Sequence, residues 1–422
     1  MFAALPVEEL AAQAGFTQRT PRKLSARLFL EATVLLVTQS AVSLRRWAVL
    51  AGVLGQLTLS KQSLWERLNE RAVAFLRLAL AHVLSRQARS PVSAAPARAG
   101  FRRILVQDST TVKLCPALAA AFPGSANQCG SKHGQLRIQA VCDLVGQQFL
   151  HFGLSSFRRN DQAAAGDVLG LLQKGDLVLR DLGYFVLQSL AQIAAAGAYY
   201  VSRLRADCRL EDASGRPLDL LQRLQRGGTV DLKVRVGEAG LVARLVALPL
   251  DPAVAAERRR RARQNRDGRC RPSARALKLL GWAIYLTNVE APVLPAKAVA
   301  EIYGWRWRVE IIFKSWKSHF RLEAVPAGSA HALEALVYAR LIFLTAFAQT
   351  CARGWLNASP GLPSCPRSLL KVASLLADFF LVLFLEAQGR SIGLAWLLQL
   401  DRHASYDTRT RQNFIQKLAG LS

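Results

Sequence analysis

FRRILVQDSTTVKL (101–114), GQLRIQAVCDL (134–144) and QQFLHFGLSSF (147–157) are strand-like runs, and the VGQ junction between the last two is short enough for a hairpin. Beyond them the pattern predicts a helix over Gln162–Gln173 and the strand DLVLRDLGYF (176–185). A helix over Val186–Ala195 and the strand AYYVSRLR (198–205) follow. A meander of three strands, then helix, strand, helix, strand, makes an α/β domain.

That order is the one found in RNase H-like α/β domains, here assigned to 96–205 and resumed over 291–330, where Ala298–Phe320 reads as one long helix. The order gives a scaffold; chemistry must be read from the residues placed on it. Between the two parts, 206–290 breaks the alternation. TVDLKVRV (229–236), LVARLVALPL (241–250) and GWAIYLTNV (281–289) are strand-like, so an all-β insertion is expected. Inside it, ERRRRARQNRDGRCRPSAR (257–275) carries nine arginines and reads either as a solvated loop or as an arm that grips phosphates.

Both flanks are helical. Residues 1–95 hold apolar residues at helical spacing in LFLEATVLLV (28–37) and LWERLNERAVAFLRLALAHVL (64–84). Within them a helix over Ser43–Leu50, a turn at Gly52 and Gly55 and a second helix from Ser60 are expected, with Ser63 and Glu66 placed as a capping box. Helix, glycine turn and helix suit a module that reads DNA ends, and equally an ordinary helical hairpin. ARSPVSAAPARAG (88–100) reads as a linker. Residues 331–422 read as a helical C-terminal region, the place for a dimer contact, ending in the basic stretch DRHASYDTRTRQNF (401–414).

Charge names a class of partner. Against 29 acidic residues stand 56 Lys and Arg, a net charge of +27, which suits a polyanion such as nucleic acid; a ribosome-associated protein or an arginine-rich compositional drift also fits. The seven cysteines show no C-x-x-C pair, which argues against a zinc site or disulfide framework and for a reduced, cytoplasmic setting. Glu8 and Glu9 stand where a signal peptide would be basic. The apolar run Leu375–Leu385 is interrupted by Asp378, too short for a bilayer, and reads as a buried helix.

YGWRWRVEIIFKSWK (303–317) carries the chemistry. With Tyr303 at zero on a continuous helix, Arg306 falls at about −60°, Glu310 at about −20°, Lys317 at about −40° and Lys314 at about +20°. One face thus holds a phenol, a carboxylate and three cations, an arrangement that also serves a plain salt-bridge ladder. Two aspartates match it: Asp108 follows the apolar ILVQ and Asp181 follows LVLR. In an RNase H-like sheet those strands lie side by side, so both carboxylates converge. Phosphodiester cleavage and transfer require such hard oxygen ligands, which hold two Mg²⁺ ions about 3.5–4 Å apart.

Tyr303, Arg306, Glu310 and Lys317 have the spacing of the Y-R-E-K signature of the insertion-sequence transposases of family four. QDST around Asp108 and RDLGYF around Asp181 resemble that family's first and second aspartate regions, so the likeness runs over about residues 100–325. The resemblance implies an enzyme that binds transposon ends and cleaves them by Mg²⁺-dependent hydrolysis, through a hairpin in well-studied members, then joins the 3′-OH to target DNA. Asp108, Asp181 and Glu310 would be catalytic metal ligands, for two Mg²⁺ or for Mn²⁺ in their place. Tyr303, Arg306 and Lys317 would contact phosphates, and Lys314 shares their face. Trp282 occupies the place of a tryptophan that stacks on an extruded base; a core position on a strand is the other reading. The partners implied are double-stranded DNA and a second copy of the chain in a synaptic homodimer, near the bacterial nucleoid, with no membrane and no small-molecule substrate. Two rivals keep the fold: a transposase-derived DNA-binding protein that no longer catalyses, and a free-standing nuclease.

Overall fold

The computed structural model describes residues 5–356, apart from 20–22, 40, 90–99, 126–132, 147, 265–271, 319–321 and 324–327. Its centre is one sheet. β1 (Ile104–Leu114), β2 (Gly134–Asp143) and β3 (Gln148–Ser156) form the expected antiparallel meander. β4 (Leu177–Arg180) then pairs parallel with β1, and β5 (Tyr199–Arg203) parallel with β4, giving the order β3-β2-β1-β4-β5. This is the RNase H-like sheet read from the sequence.

The insertion extends that sheet. β9 (Trp282–Thr287) pairs antiparallel with β5, and β8 (Leu241–Pro249), β7 (Val230–Val236) and β6 (Leu210–Glu211) add outward, so nine strands are continuous. The expectation of an all-β insertion needs correction, since three helices lie between its strands: α7 (Leu220–Gln225), α8 (Pro252–Arg263) and α9 (Ala274–Leu279). α8 takes in the beginning of the arginine stretch, Glu257–Arg263, for which the sequence left a solvated loop and a phosphate-gripping arm open. Asp251 accepts from the Ala253 N–H at 2.8 Å as its N-cap, Pro252 fills the first turn, and the arginines crowd the C-terminal end where cations suit the helix dipole.

Two apolar layers cover the sheet, and strand alternation decides which side chain faces which. On β1, Ile104 and Val106 join the larger core while Leu105 joins the second. The larger core is shared with the N-terminal helices α1 (Val7–Gln13), α2 (Ala26–Leu36), α3 (Leu44–Gly55), α4 (Lys61–Arg67) and α5 (Glu70–Arg89). It also takes up α10 (Ala296–Gly304), α11 (Trp307–Ser318) and α12 (Ala330–Leu356), and α12 packs on α5 and α2. The second core holds α6 (Leu187–Ala195) and most of the insertion.

Three further expectations change. Gln162–Gln173 is a run of turns ending in a 3-10 turn at Leu169–Leu171, not a helix. The long helix over Ala298–Phe320 is two helices, α10 and α11. At their junction i→i−3 bonds run from Trp305, Arg306, Arg308 and Val309, beside Gly304 and the buried Trp305. The N-cap of α4 is Ser60, whose side chain accepts from the Ser63 N–H at 3.0 Å, so Ser63 lies inside the helix rather than capping it. The linker centre, Leu375–Leu385 and the basic C-terminal stretch fall outside the described residues.

Gly52 and Gly55 lie in the last turns of α3 rather than in a turn after it, and close packing explains them. A Cβ at Gly52 would meet the Leu57 carbonyl oxygen at 2.9 Å, and one at Gly55 the Leu28 side chain at 2.5 Å. The left-handed C-cap falls instead on Gln56, with φ 50° and ψ 45°. A β-carbon costs about 1–2 kcal/mol in that conformation. Gln56→Gly is therefore expected to stabilise the protein by up to about 1 kcal/mol, seen as a higher urea midpoint at unchanged slope; a lowered midpoint would show that the Gln56 side chain contributes more than its backbone costs.

Candidate active site

Asp108 lies mid-strand on β1 and has the same parity as Ile104 and Val106, so it faces the helical layer. β4 pairs with β1 only as far as Gln107↔Arg180, and Asp181 is the next residue. Where β4 ends, β1 loses one neighbour, and the two aspartates emerge side by side at that gap. Asp181 starts a 3-10 turn, Leu182–Tyr184, whose glycine and tyrosine belong to the RDLGYF motif.

α10 and α11 bring the remaining groups over the gap. The break between them leaves Tyr303 on α10, Arg306 at the junction and Glu310 one turn into α11, yet all three point at the aspartates. Arg306 holds the centre: Nη1 donates to Asp108 Oδ2 at 3.2 Å, Nη2 to Glu310 Oε1 at 2.6 Å, and Nε stands 3.9 Å from Asp181 Oδ1. The Tyr303 hydroxyl donates to Asp181 Oδ1 at 3.4 Å. Lys317 Nζ donates to the Thr111 carbonyl at 2.8 Å and pairs with Glu323 at 3.3 Å. Lys314 is exposed and has no ion pair among the described residues. Asp108, Asp181, Arg306, Glu310, Lys314 and Lys317 line a cleft of about 520 Å³; Tyr303 stands behind its lining. A larger groove of about 1110 Å³ lies in the N-terminal helical region, far in sequence from any of the three carboxylates.

The electrostatics follow from the burial. Burial raises Asp108 to about 7; the Ser109 N–H and Arg306 resist the rise, while Glu310 and Asp181 add to it. Burial also works against the Arg306 charge, but the carboxylates of Asp181 and Asp108 outweigh it and hold the guanidinium above its ordinary value. Burial and then the Asp181 charge push the Tyr303 phenol up, so it remains a donor. The cluster needs cations, and with Arg306 the one cation inside it among the described residues the three carboxylates are incompletely compensated.

The transposase DDE domain model matches residues 99–346, more than half of the sequence. The chain belongs to the DDE transposase family. Two relatives from Bacillus thuringiensis subsp. berliner bear this out. The transposase of insertion sequence element IS231B is 30% identical over 80% of this chain and 75% of its own length. That of IS231C is 31% identical over the same shares. A solved synaptic complex of piggyBac transposase with hairpin DNA aligns at TM-score 0.45 and 10% identity over 97% of this chain and 83% of that one; the strand order, not this alignment, assigns the fold.

Membership in this family implies that the transposase uses a divalent metal ion. The donors suit one: Asp108, Asp181 and Glu310 supply only hard carboxylate oxygens, and they already gather around a cationic guanidinium whose buried Nε has no hydrogen-bond partner. Among the described residues no three such side chains stand close enough to hold an ion as they are, because Arg306 lies between them. Trp282 opens β9 at the sheet end shared with Asp181, half-buried against the second core, and it does not line the cleft. Of the other tryptophans in the signature helix region, Trp305 and Trp316 are core residues and Trp307 is exposed. Among the described residues no helix is long and apolar enough to cross a membrane. Sequence reading passed over Ser109 and Asp161, which touch each other at 2.8 Å just behind Asp108. The polar run RRND (158–161), between the third strand and the expected helix, was the one signal in the sequence.

Asp108 supplies a pH test on metal-free protein. Its carboxyl keeps a proton up to about 7 when folded and up to about 4 when unfolded, so folding takes up a proton between those values. The stability tied to Asp108 is therefore highest below pH 4, falls as pH rises through that window and levels off above it. Asp108→Asn is expected to remove this slope and to gain at most about 4 kcal/mol over the parent at pH 8, with the gap closing towards pH 4. Parallel melting curves for the two proteins at every pH would show that Asp108 titrates normally.

Proposed function

We propose that this transposase cleaves the ends of an insertion sequence by Mg²⁺-dependent hydrolysis, passes through a hairpinned end, and joins the freed 3′-OH to double-stranded target DNA. The observation that carries the reading is the convergence of Asp108, Asp181 and Glu310, from three separate elements, on one guanidinium at the floor of a cation-lined cleft. Asp108, Asp181 and Glu310 would hold two Mg²⁺ ions, with Mn²⁺ as a substitute, and such ions when bound activate the attacking oxygen and stabilise the leaving one.

The chain's own groups divide the remaining work. Arg306 partly compensates the carboxylates in the free protein, and when they are otherwise compensated its fork is placed for a phosphate. Tyr303 donates towards the same point. Lys314, at the cleft rim, has no ion pair among the described residues, while Lys317 is partly committed to Thr111 and Glu323. Next to Tyr303 stand Arg203 at the end of β5 and Arg258 on α8, and Arg258 Nη1 is buried without a hydrogen-bond partner. They extend the basic track towards the arginines of α8, which supports a DNA backbone running along this edge. Trp282, at that same end of the sheet, is proposed to stack on a base extruded from the hairpin.

End recognition is assigned to α3 and α4, and to the groove that holds Arg19, Lys23, Arg67 and Arg71. Phosphate contacts there would position the duplex without reading its sequence. A homodimer in the synaptic complex, joined through the C-terminal region, completes the proposal.

Two measurements test it. Asp108→Ala, Asp181→Ala and Glu310→Ala are each expected to abolish nicking of the element's own ends in Mg²⁺ while leaving end binding intact; a variant that still nicks removes its residue from the site. Cleaved ends that never join a target would reduce the wild type to a nuclease. Lys314→Gln is expected to lower the slope of log affinity against log salt by about one. An unchanged slope would place Lys314 off the DNA.

A further inference from the structure

The turns between Phe157 and Val168 form a built wall rather than a passive connection. Arg180, fully buried and without a carboxylate partner among the described residues, donates through Nη2 to Gln107 Oε1 at 2.9 Å, and Gln107 Nε2 donates to the Ala164 carbonyl at 2.7 Å. Ser189 Oγ donates to the Ala165 carbonyl at 2.9 Å. Arg159 grips Asp167 with two hydrogen bonds of 2.8 and 2.6 Å inside the segment. So tethered, the segment presents a fourth carboxylate, Asp161, to the face of β1 opposite Asp108.

Strand alternation makes this placement possible, because Gln107 and Ser109 face the segment while Asp108 faces Arg306. Asp161 Oδ1 accepts from Ser109 Oγ at 2.8 Å, from Arg137 Nη1 at 2.7 Å and from Gln139 Nε2 at 3.1 Å. Two of these contacts, those with Ser109 and Gln139, lead back to the site. Ser109 donates its backbone N–H to Asp108 Oδ1 at 2.8 Å. Gln139 Oε1 accepts from the Tyr184 hydroxyl, and Tyr184 belongs to the turn that Asp181 begins. Gly183 in that turn lies so close that a Cβ there would stand 3.1 Å from Asp161 Oδ2. One side chain therefore touches both segments that carry the aspartates.

We propose that Asp161 is a positioning residue for the transposase reaction: its carboxylate ties the Asp108 strand to the Asp181 turn and fixes the separation of those two aspartates. The inference rests on the proposed metal-binding role of Asp108 and Asp181. Asp161 itself does not line the cleft. Groups that orient metal ligands typically account for 10–100-fold in affinity or activity.

The test uses the full-length protein and Mn²⁺ as the probe, followed by calorimetry, with nicking rate, end binding and melting temperature measured beside it. Asp161→Ala is expected to weaken Mn²⁺ binding and slow nicking, each by about 10–100-fold, with end binding unchanged. Asp161→Asn keeps an acceptor oxygen for all three donors and is expected to recover most of both. Ser109→Ala breaks the same tie from the other side, so adding it to Asp161→Ala should cost little more. Wild-type Mn²⁺ affinity in Asp161→Ala overturns the proposal. So does a loss that tracks a lower melting temperature in every variant and that asparagine does not rescue, since that pattern is fold support alone. If the wild type binds no Mn²⁺, or Asp108→Ala binds it equally well, the carboxylate site itself has been misread and the positioning role falls with it.

Discussion

Three carboxylates with one guanidinium between them are the constraint on which this site depends. Asp108, Asp181 and Glu310 come from a strand, a turn and a helix, and without a cation they would repel one another across the cleft. Arg306 lets them coexist in the free protein. The carboxylates are thus held ready, and the charge that holds them is tethered to the helix carrying one of them.

The sheet supplies the second constraint. A strand places neighbouring residues on opposite faces, so two adjacent residues of QDST serve two different environments. Asp108 enters the cleft under α11, and Ser109 enters the network built by Asp161, Arg137 and Gln139. Neither arrangement works without the early end of β4, which opens β1 on one side where Asp108 needs room.

Much of this was legible in the sequence. The succession of strands along the chain is local information, carried by apolar alternation and short connections; that β1 and β4 lie side by side came from the likeness of that succession to RNase H-like domains, and the Y-R-E-K spacing together with the two aspartate motifs identified the residues that converge. The rest depended on tertiary contacts that no periodicity encodes. Gln162–Gln173 has helical composition, yet its backbone is held in turns by Arg180, Gln107 and Ser189 from three other elements. The helix from Ala298 looked continuous because Gly304 weakens a helix without forbidding it; burial of Trp305 decides the break. Gly52 and Gly55 resembled turn glycines because their actual reason, contact with Leu57 and Leu28, is invisible one residue at a time. Asp161 was missed because a carboxylate in a loop says nothing about its partners until the loop has been folded against the strands.

The continuous nine-stranded sheet has a consequence for how the protein behaves in a crowded cell. A sheet edge is a row of unsatisfied backbone donors and acceptors, open to pairing with any other extended chain. Were the catalytic fold to stop at β5, that strand would be such an edge. The insertion moves the boundary out to β6, which is two residues long. At the other boundary β3 lies against α5 and α12. β6 covers only Val236 and Arg235 of β7, so the segment that carries the arginines does not abolish the free edge but moves it from beside β4 and Asp181 out to the remainder of β7, three strands beyond β5, where an added strand would lie far from the aspartates.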